Sequence, residues 1–396
     1  VLVLCVVAFM TARPPSWSFN YAAILAVVAV ALTVRLPRLR TADVLALLTG
    51  GWAYASLIWT AWADLTAPSA YRYASVCLLF VAARHVLRTR RDLLLVGWTF
   101  LAGCAVVAIE VITGARSQGP VDLFGQRYGI DGINLNFTAY TLTAGMVLAL
   151  VVAAVTTGRR LLRLSPLAIA MLLGYAVLLT GCRGAAVGMV LGAAVLLMAR
   201  LVPRLTVGTL VVVIIALVVL VPLELLPERQ VLWLDNLYDR PTGDLSGRLA
   251  IWPYALKTWS EDLLTGSGAG VFIGTNPFEI GPHNLLLTVG NDLGLVGVLL
   301  YFGAIAAALL ATARTGRVSL LLSGTFAAAM VPIWLSGQWE TSLAFWLVLA
   351  LISVLPQAGV PTGGWASNGR HHQSTRVIPQ SPPRSTPAKI SRPTTG

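Results

Sequence analysis

The stretch 285–312, LLLTVGNDLGLVGVLLYFGAIAAALLAT, decides the fold. Apart from Asn291 and Asp292 it is apolar or small throughout, with no period-two alternation. It exceeds the about 20 residues that a helix needs to cross a bilayer, and continuous apolar runs read as helices rather than barrel strands. Working outward with the same ruler, eleven further segments qualify: 1–12, 17–34, 44–63, 71–87, 93–113, 135–157, 166–182, 184–200, 205–222, 318–335 and 341–355. The expectation is an all-α polytopic membrane protein of about twelve transmembrane helices, with a bundle over 1–356 and a tail over 357–396. Composition agrees. Hydrophobic residues make up 57% of the chain and charged residues 11%, against about a quarter charged in a soluble domain. The net charge of +12 comes from basic residues scattered between apolar runs, so nucleic acid is not an expected partner and the lipid bilayer is. Cys5, Cys77, Cys104 and Cys182 lie in or beside apolar segments without metal-ligand spacing, so neither a disulfide framework nor a zinc site is expected. The apolar start at Val1 runs into Arg13-Pro14-Pro15 without a small-residue cleavage site, so no cleavable signal peptide is expected. The short first segment, lacking a Met, is read as missing a few preceding residues.

Arginine placement orients the expected bundle. With Arg35–Arg40, Arg84–Arg91, Arg159–Arg163, Arg200–Arg204, Arg314–Arg317 and the tail in the cytoplasm, 19 of 28 basic residues fall on that side. Both termini are then cytoplasmic, and the Pro-, Ser-, Thr- and Arg-rich tail is expected to be disordered. Thirteen of 16 carboxylates fall at or beyond the external face, and the large external loop is 223–283, between the ninth and tenth spans. Within it Leu245, Leu249, Trp252, Leu256, Trp259 and Leu263 recur at helical spacing, with Ser246 as N-cap and Pro253 as a kink. This predicts an interfacial helix lying along the outer leaflet. The Gly266-Ser267-Gly268-Ala269-Gly270 turn that follows is weighed as a phosphate cradle, weakened by the absence of a preceding strand.

Several polar residues stand out. Arg183, between two apolar stretches, is either a snorkelling charge at a tight external turn or an anion ligand facing a cavity. His283 is the one histidine on the external side: His85 lies at a cytoplasmic end, and His371 and His372 lie in the tail. It reads either as an interfacial cap or as a base that accepts a proton near neutrality. Arg248 reads as a loop charge or a second anion ligand. Asp292 and Glu340 are candidate counter-ions, groups orienting His283, or proton carriers, with pairing inside the bundle the commonest fate of such residues.

Three stretches resemble the O-antigen ligase family: Leu179-Thr180-Gly181-Cys182-Arg183-Gly184-Ala185; Ser246-Gly247-Arg248 with Ile251-Trp252 and Gly266-Ser267-Gly268; and His283-Asn284 followed by Leu287, Asp292, Gly294 and Gly297. Asn136, in Asn134-Leu135-Asn136, is a weaker echo. Cys182 stands where the family usually has Ser, and Asp292 where Glu is more frequent. The resemblance implies a glycosyltransferase that moves a glycan from an undecaprenyl-pyrophosphate carrier to a sugar hydroxyl of a glycan or glycolipid acceptor. It implies action at the outer face of the bacterial cytoplasmic membrane, as a ligase or a polysaccharide polymerase. Arg183 and Arg248 would then hold the pyrophosphate, and His283 would act on the acceptor hydroxyl. Asn284 and Asn136 would contact substrate, with Asp292 and Glu340 behind them. No external acidic cluster has metal-ligand spacing, so no metal and no cofactor are expected. The alternative is a transporter or flippase for an anionic lipid or solute, with Arg183 as ligand and Asp292, Glu110 or Glu340 as coupling groups.

Overall fold

The computed structural model describes residues 1–12, 39–114, 127–130, 132–157, 160–201 and 248–357. The expected spans 17–34 and 205–222, the long loop before Arg248 and the tail beyond 357 lie outside the described residues. Every regular element among those described is helical: α1 (Leu2–Ala12), α2 (Thr41–Ala55), α3 (Ala63–Val86), α4 (Arg90–Thr113), α5 (Leu135–Val155), α6 (Arg160–Leu179), α7 (Arg183–Leu201), α8 (Arg248–Glu261), α9 (Val271–Thr275), α10 (Leu285–Ala313), α11 (Arg317–Ser336) and α12 (Leu343–Ser353). Six stretches are long and apolar enough to cross a membrane: Thr41–Ile58, α4, α5, α6, α10 and α11. The buried share of each span separates inside from outside. It is 78% for α5 and 22% for α6, which makes α5 interior and α6 peripheral.

Within the last expected span, 341–355, the helix is short. Ser342 caps α12 by accepting the Phe345 N–H at 3.2 Å, and only eleven residues follow, about 16 Å at 1.5 Å per residue. All its residues from Ala344 to Ser353 are buried. It is a helix sheathed on every side, packed against α3, α5 and α10. Its Trp346 meets Phe80, Tyr301 and Phe345 edge-on at ring separations of 5.4, 5.3 and 5.7 Å, each contact worth about 0.5–1.5 kcal/mol. Such packing matters because lipid tails are as apolar as leucine and provide no hydrophobic drive between helices. Close approach serves the same end at α7 and α11. A side chain on Gly188 would stand 2.4 Å from the Ala329 carbonyl, and Gly184, Gly188 and Gly192 repeat at every fourth position along that contact.

The stretch that decided the fold is not one continuous helix. Gly294 sits at φ 65°, ψ −168°, and breaks α10 in the span expected to run unbroken over 285–312. The freed backbone groups are taken up by the segment following α8. Ser267 and Gly268 donate to the carbonyls of Asn291 and Asp292 at 2.9 and 3.1 Å, and Leu295 and Val296 donate to those of Leu263 and Leu264 at 2.8 and 3.2 Å. The Trp52 indole donates to the Leu293 carbonyl at 2.9 Å. Within a bilayer a broken backbone is tolerated only when protein satisfies it in this way. Gly294→Ala is therefore expected to destabilise the protein by at least about 1–3 kcal/mol, because φ is positive and the new Cβ would lie 2.3 Å from Leu264. Gly303→Ala, 3.4 Å from its nearest neighbour in the same helix, should be neutral. Thermal unfolding of the two purified variants checks this.

Candidate functional site

The candidate site lies where the first turns of α5, α7 and α10 meet the end of α11. Thr180 ends α6, Gly181 turns at φ 61°, and α7 opens on Arg183, which is half-buried. This turn is clamped by Arg127, a buried residue not singled out in the sequence. Its Nε donates to the Thr180 carbonyl at 2.7 Å, and its guanidinium also donates to Asn136 Oδ1 at 3.1 Å. Asn136 is thereby held against the Arg183 turn.

The connection from α11 to α12 joins this corner to the His283 corner. A side chain on Gly184 would strike Ser336, one on Gly337 the ring of Tyr140, and one on Gly281 the amide of Gln338. The Tyr140 hydroxyl donates to the Ser336 carbonyl at 3.2 Å. Residues 336–338 thus touch the neighbour of Arg183, the helix that carries Asn136, and the turn that carries His283.

His283 has a positive φ of 48°, uncommon outside glycine although histidine is among the residues that tolerate it. Asn284, not His283, caps α10: its Oδ1 accepts from Leu286 and Leu287 at 3.0 and 3.2 Å. The Asn284 carbonyl-type oxygen is therefore engaged in holding the helix end. The Trp252 indole donates to the Pro282 carbonyl at 2.8 Å and ties α8 to the residue before His283. Arg248 is the first residue of α8, one turn before Trp252, so its backbone stands at this corner; its side chain lies outside the described residues. Ile251 and Ala255 are buried with Trp252 and Trp259 beside them, whereas Leu256 and Leu263 are 54% and 51% exposed.

The GSGAG turn does not cradle phosphate. Its amides at Ser267 and Gly268 serve the carbonyls freed by the break in α10, and the Ala269 N–H donates to the Ser56 hydroxyl at 3.3 Å. Beneath it, the Tyr73 hydroxyl donates to Asp292 Oδ2 at 3.0 Å, and the Gly270 backbone N–H also bonds to this carboxylate. Tyr73 meets Tyr301 edge-on, and Tyr301 donates to the Glu340 carbonyl at 2.9 Å. Glu340 is half-buried, and its Oε2 has no hydrogen-bond partner. Burial pushes its carboxyl above the ordinary range, while its own backbone N–H and the Arg72 guanidinium pull it down. Among the described residues no group of three or more His, Cys, Asp or Glu is gathered as a metal would need.

The raised Glu340 carboxyl has a signed consequence. The folded state holds this proton more tightly than the unfolded chain, so the contribution to stability is present at low pH. It is lost as pH rises from about 4.3, the free carboxyl value, through the raised one. Glu340→Gln is expected to flatten that decline in thermal unfolding followed in detergent across the acid-to-neutral range.

These features define a polytopic helical membrane protein with Arg183, Asn136, His283 and Asn284 placed at one end of its described helices. Residues 167–302 match the family model described as O-antigen ligase. The resemblance read from the sequence is thus shown for a stretch that contains Arg183, Arg248, His283, Asn284 and Asp292, and the protein is a multi-pass membrane protein of ligase- or glycosyltransferase-like type. Asn136 and Glu340 lie outside the matched residues. No curated protein matches the chain at a significant level.

Proposed function

We propose that this protein transfers a glycan from an undecaprenyl-pyrophosphate carrier to a sugar hydroxyl of an envelope acceptor or growing polysaccharide, at the outer face of the bacterial cytoplasmic membrane. The family match over 167–302 carries the reading. In the reaction the acceptor oxygen forms a bond to the anomeric carbon as the bond from that carbon to the pyrophosphate oxygen breaks. Negative charge accumulates on the departing lipid pyrophosphate. Arg183 and Arg248 bind its oxygens through planar, forked guanidinium groups, which stabilise the transition state more than the ground state. His283 takes the acceptor proton as the oxygen attacks. Asn136, fixed by Arg127, and the amide of Asn284 orient substrate. Asp292 and Glu340 support the site from behind, and the mechanism needs no metal.

The topology proposed with it has twelve spans, both termini in the cytoplasm and 223–283 outside. In this arrangement α8 rests along the outer leaflet, a placement supported by the exposed Leu256, Leu263 and Leu264. The break in α10 beside Asp292 is the feature that would favour a transporter. Its backbone groups are already bonded to Leu263–Gly268, however, and are not left to coordinate a solute. Two experiments test the reading. Purified protein mixed with a lipid-linked glycan and candidate acceptors should form the transferred product, and absence of product with vectorial movement of the lipid would overturn it. A cysteine at the exposed Thr275 should react with a membrane-impermeant reagent in intact cells, in a Cys5→Ser background; reaction only after lysis would invert the bundle.

A further inference from the structure

α4 and α5 run antiparallel past each other, so the start of α4 and the end of α5 lie at the end of the bundle away from Arg183 and His283. There Arg90, Arg91, Leu94, Leu95, Trp98, Thr156 and Thr157 line an open groove of about 530 Å³. The Arg90 guanidinium donates to the Val155 carbonyl, which fixes its plane, yet its Nε is buried without a hydrogen-bond partner. Arg91 is exposed beside it. The neighbouring polar groups are occupied elsewhere: the Thr156 hydroxyl donates to the Val152 carbonyl at 2.7 Å, and the Asp92 carboxylate accepts the Thr89 N–H at 2.9 Å. Below the arginines the wall is apolar, with Leu95 43% exposed. That wall belongs to a helix long and apolar enough to cross the membrane.

We propose that this groove binds the headgroup phosphate of an anionic phospholipid, with an acyl chain lying along Leu94, Leu95 and Trp98. The exposed Arg91 guanidinium and the Arg90 charge beside it favour a net negative headgroup over a zwitterionic one. Trp98, less than three turns along the helix from the arginines, matches the depth at which indoles settle between headgroups and chains. A free phosphate ion would use the arginines but not the apolar wall, so lipid is the occupant that both halves of the lining fit. The site stands apart from the proposed donor site, across the bundle.

The test uses the full chain, delipidated in neutral detergent and titrated separately with phosphatidylglycerol, phosphatidylcholine and inorganic phosphate. Bound adducts are counted by native mass spectrometry. One phosphatidylglycerol is expected to bind in preference to phosphatidylcholine. Arg91→Gln should weaken it about fivefold and the Arg90→Gln, Arg91→Gln pair about 25-fold, whereas Arg314→Gln, exposed at the same end, should not. Unchanged binding by the paired variant, equal binding of phosphatidylcholine, or competition by an equal concentration of inorganic phosphate would each overturn the assignment. If the paired variant does not fold, Arg91→Gln decides alone, because the exposed Arg91 side chain holds no hydrogen bond among the described residues.

Discussion

His283→Ala is expected to leave a folded, membrane-embedded protein whose transfer rate has fallen by at least about a hundredfold, the contribution of a positioned general base. The folding half of this expectation rests on how the turn is held. Pro282 is fixed by the Trp252 indole, and the start of α10 is capped by the Asn284 side chain, so the imidazole is not the cap. His283→Asn gives a second variant suited to the positive φ of 48°. It should fold at least as well as the alanine variant and transfer no better, with His283→Gln nearly as impaired. If a proton acceptor acts here, the wild-type rate should decline on acidification wherever chemistry limits turnover. Transfer by His283→Ala within a few-fold of wild type, with an unchanged pH profile, would move the base to a carboxylate such as Asp292 or Glu279.

Arg183→Lys is expected to lose about ten- to a hundredfold in transfer although the charge is kept. Two parallel charge-assisted bonds become one mobile ammonium contact, and each such bond is worth about 1.5–3 kcal/mol. The effect should be local, because the backbone at this corner is fixed independently by Arg127 on Thr180 and by Gly184 against Ser336. Arg248→Lys should behave alike, and Arg229→Ala and Arg240→Ala should transfer normally. Donor binding measured beside turnover separates the roles. If Arg183→Lys kept near-normal turnover, Arg183 would be a snorkelling charge and the clamp would be abandoned.

The helical, polytopic character could be read from the sequence because a bilayer demands long uninterrupted apolar runs, and nothing else produces them. The turn at Arg183 was readable for a related reason: no lipid-facing segment tolerates a lone guanidinium at its centre. The break at Gly294 was not, since hydropathy sums side chains and is blind to φ. Nor was the inward face of α8. In water the apolar stripe marks the core, but beside lipid Leu256 and Leu263 face outward as readily as Ile251 and Ala255 face inward. Arg127 looked like any charge in an external connection, because its burial depends on docking against Thr180 and Asn136, contacts distant in the chain.

The joint at Gly294 also bears on how the chain is assembled. Leu263–Gly268 precede α10 in the sequence, so during synthesis the strap exists before the helix that it completes. The part of α10 after Gly294 is apolar enough to partition into lipid unaided. The part before it carries Asn291 and Asp292 and ends in carbonyls that only the strap and Trp52 satisfy. Insertion is therefore expected to separate into an early step set by hydropathy and a later one set by docking, with the His283 turn placed only in the second. An insertion machinery that releases the segment too soon would then yield a protein threaded through the membrane yet without a formed candidate site.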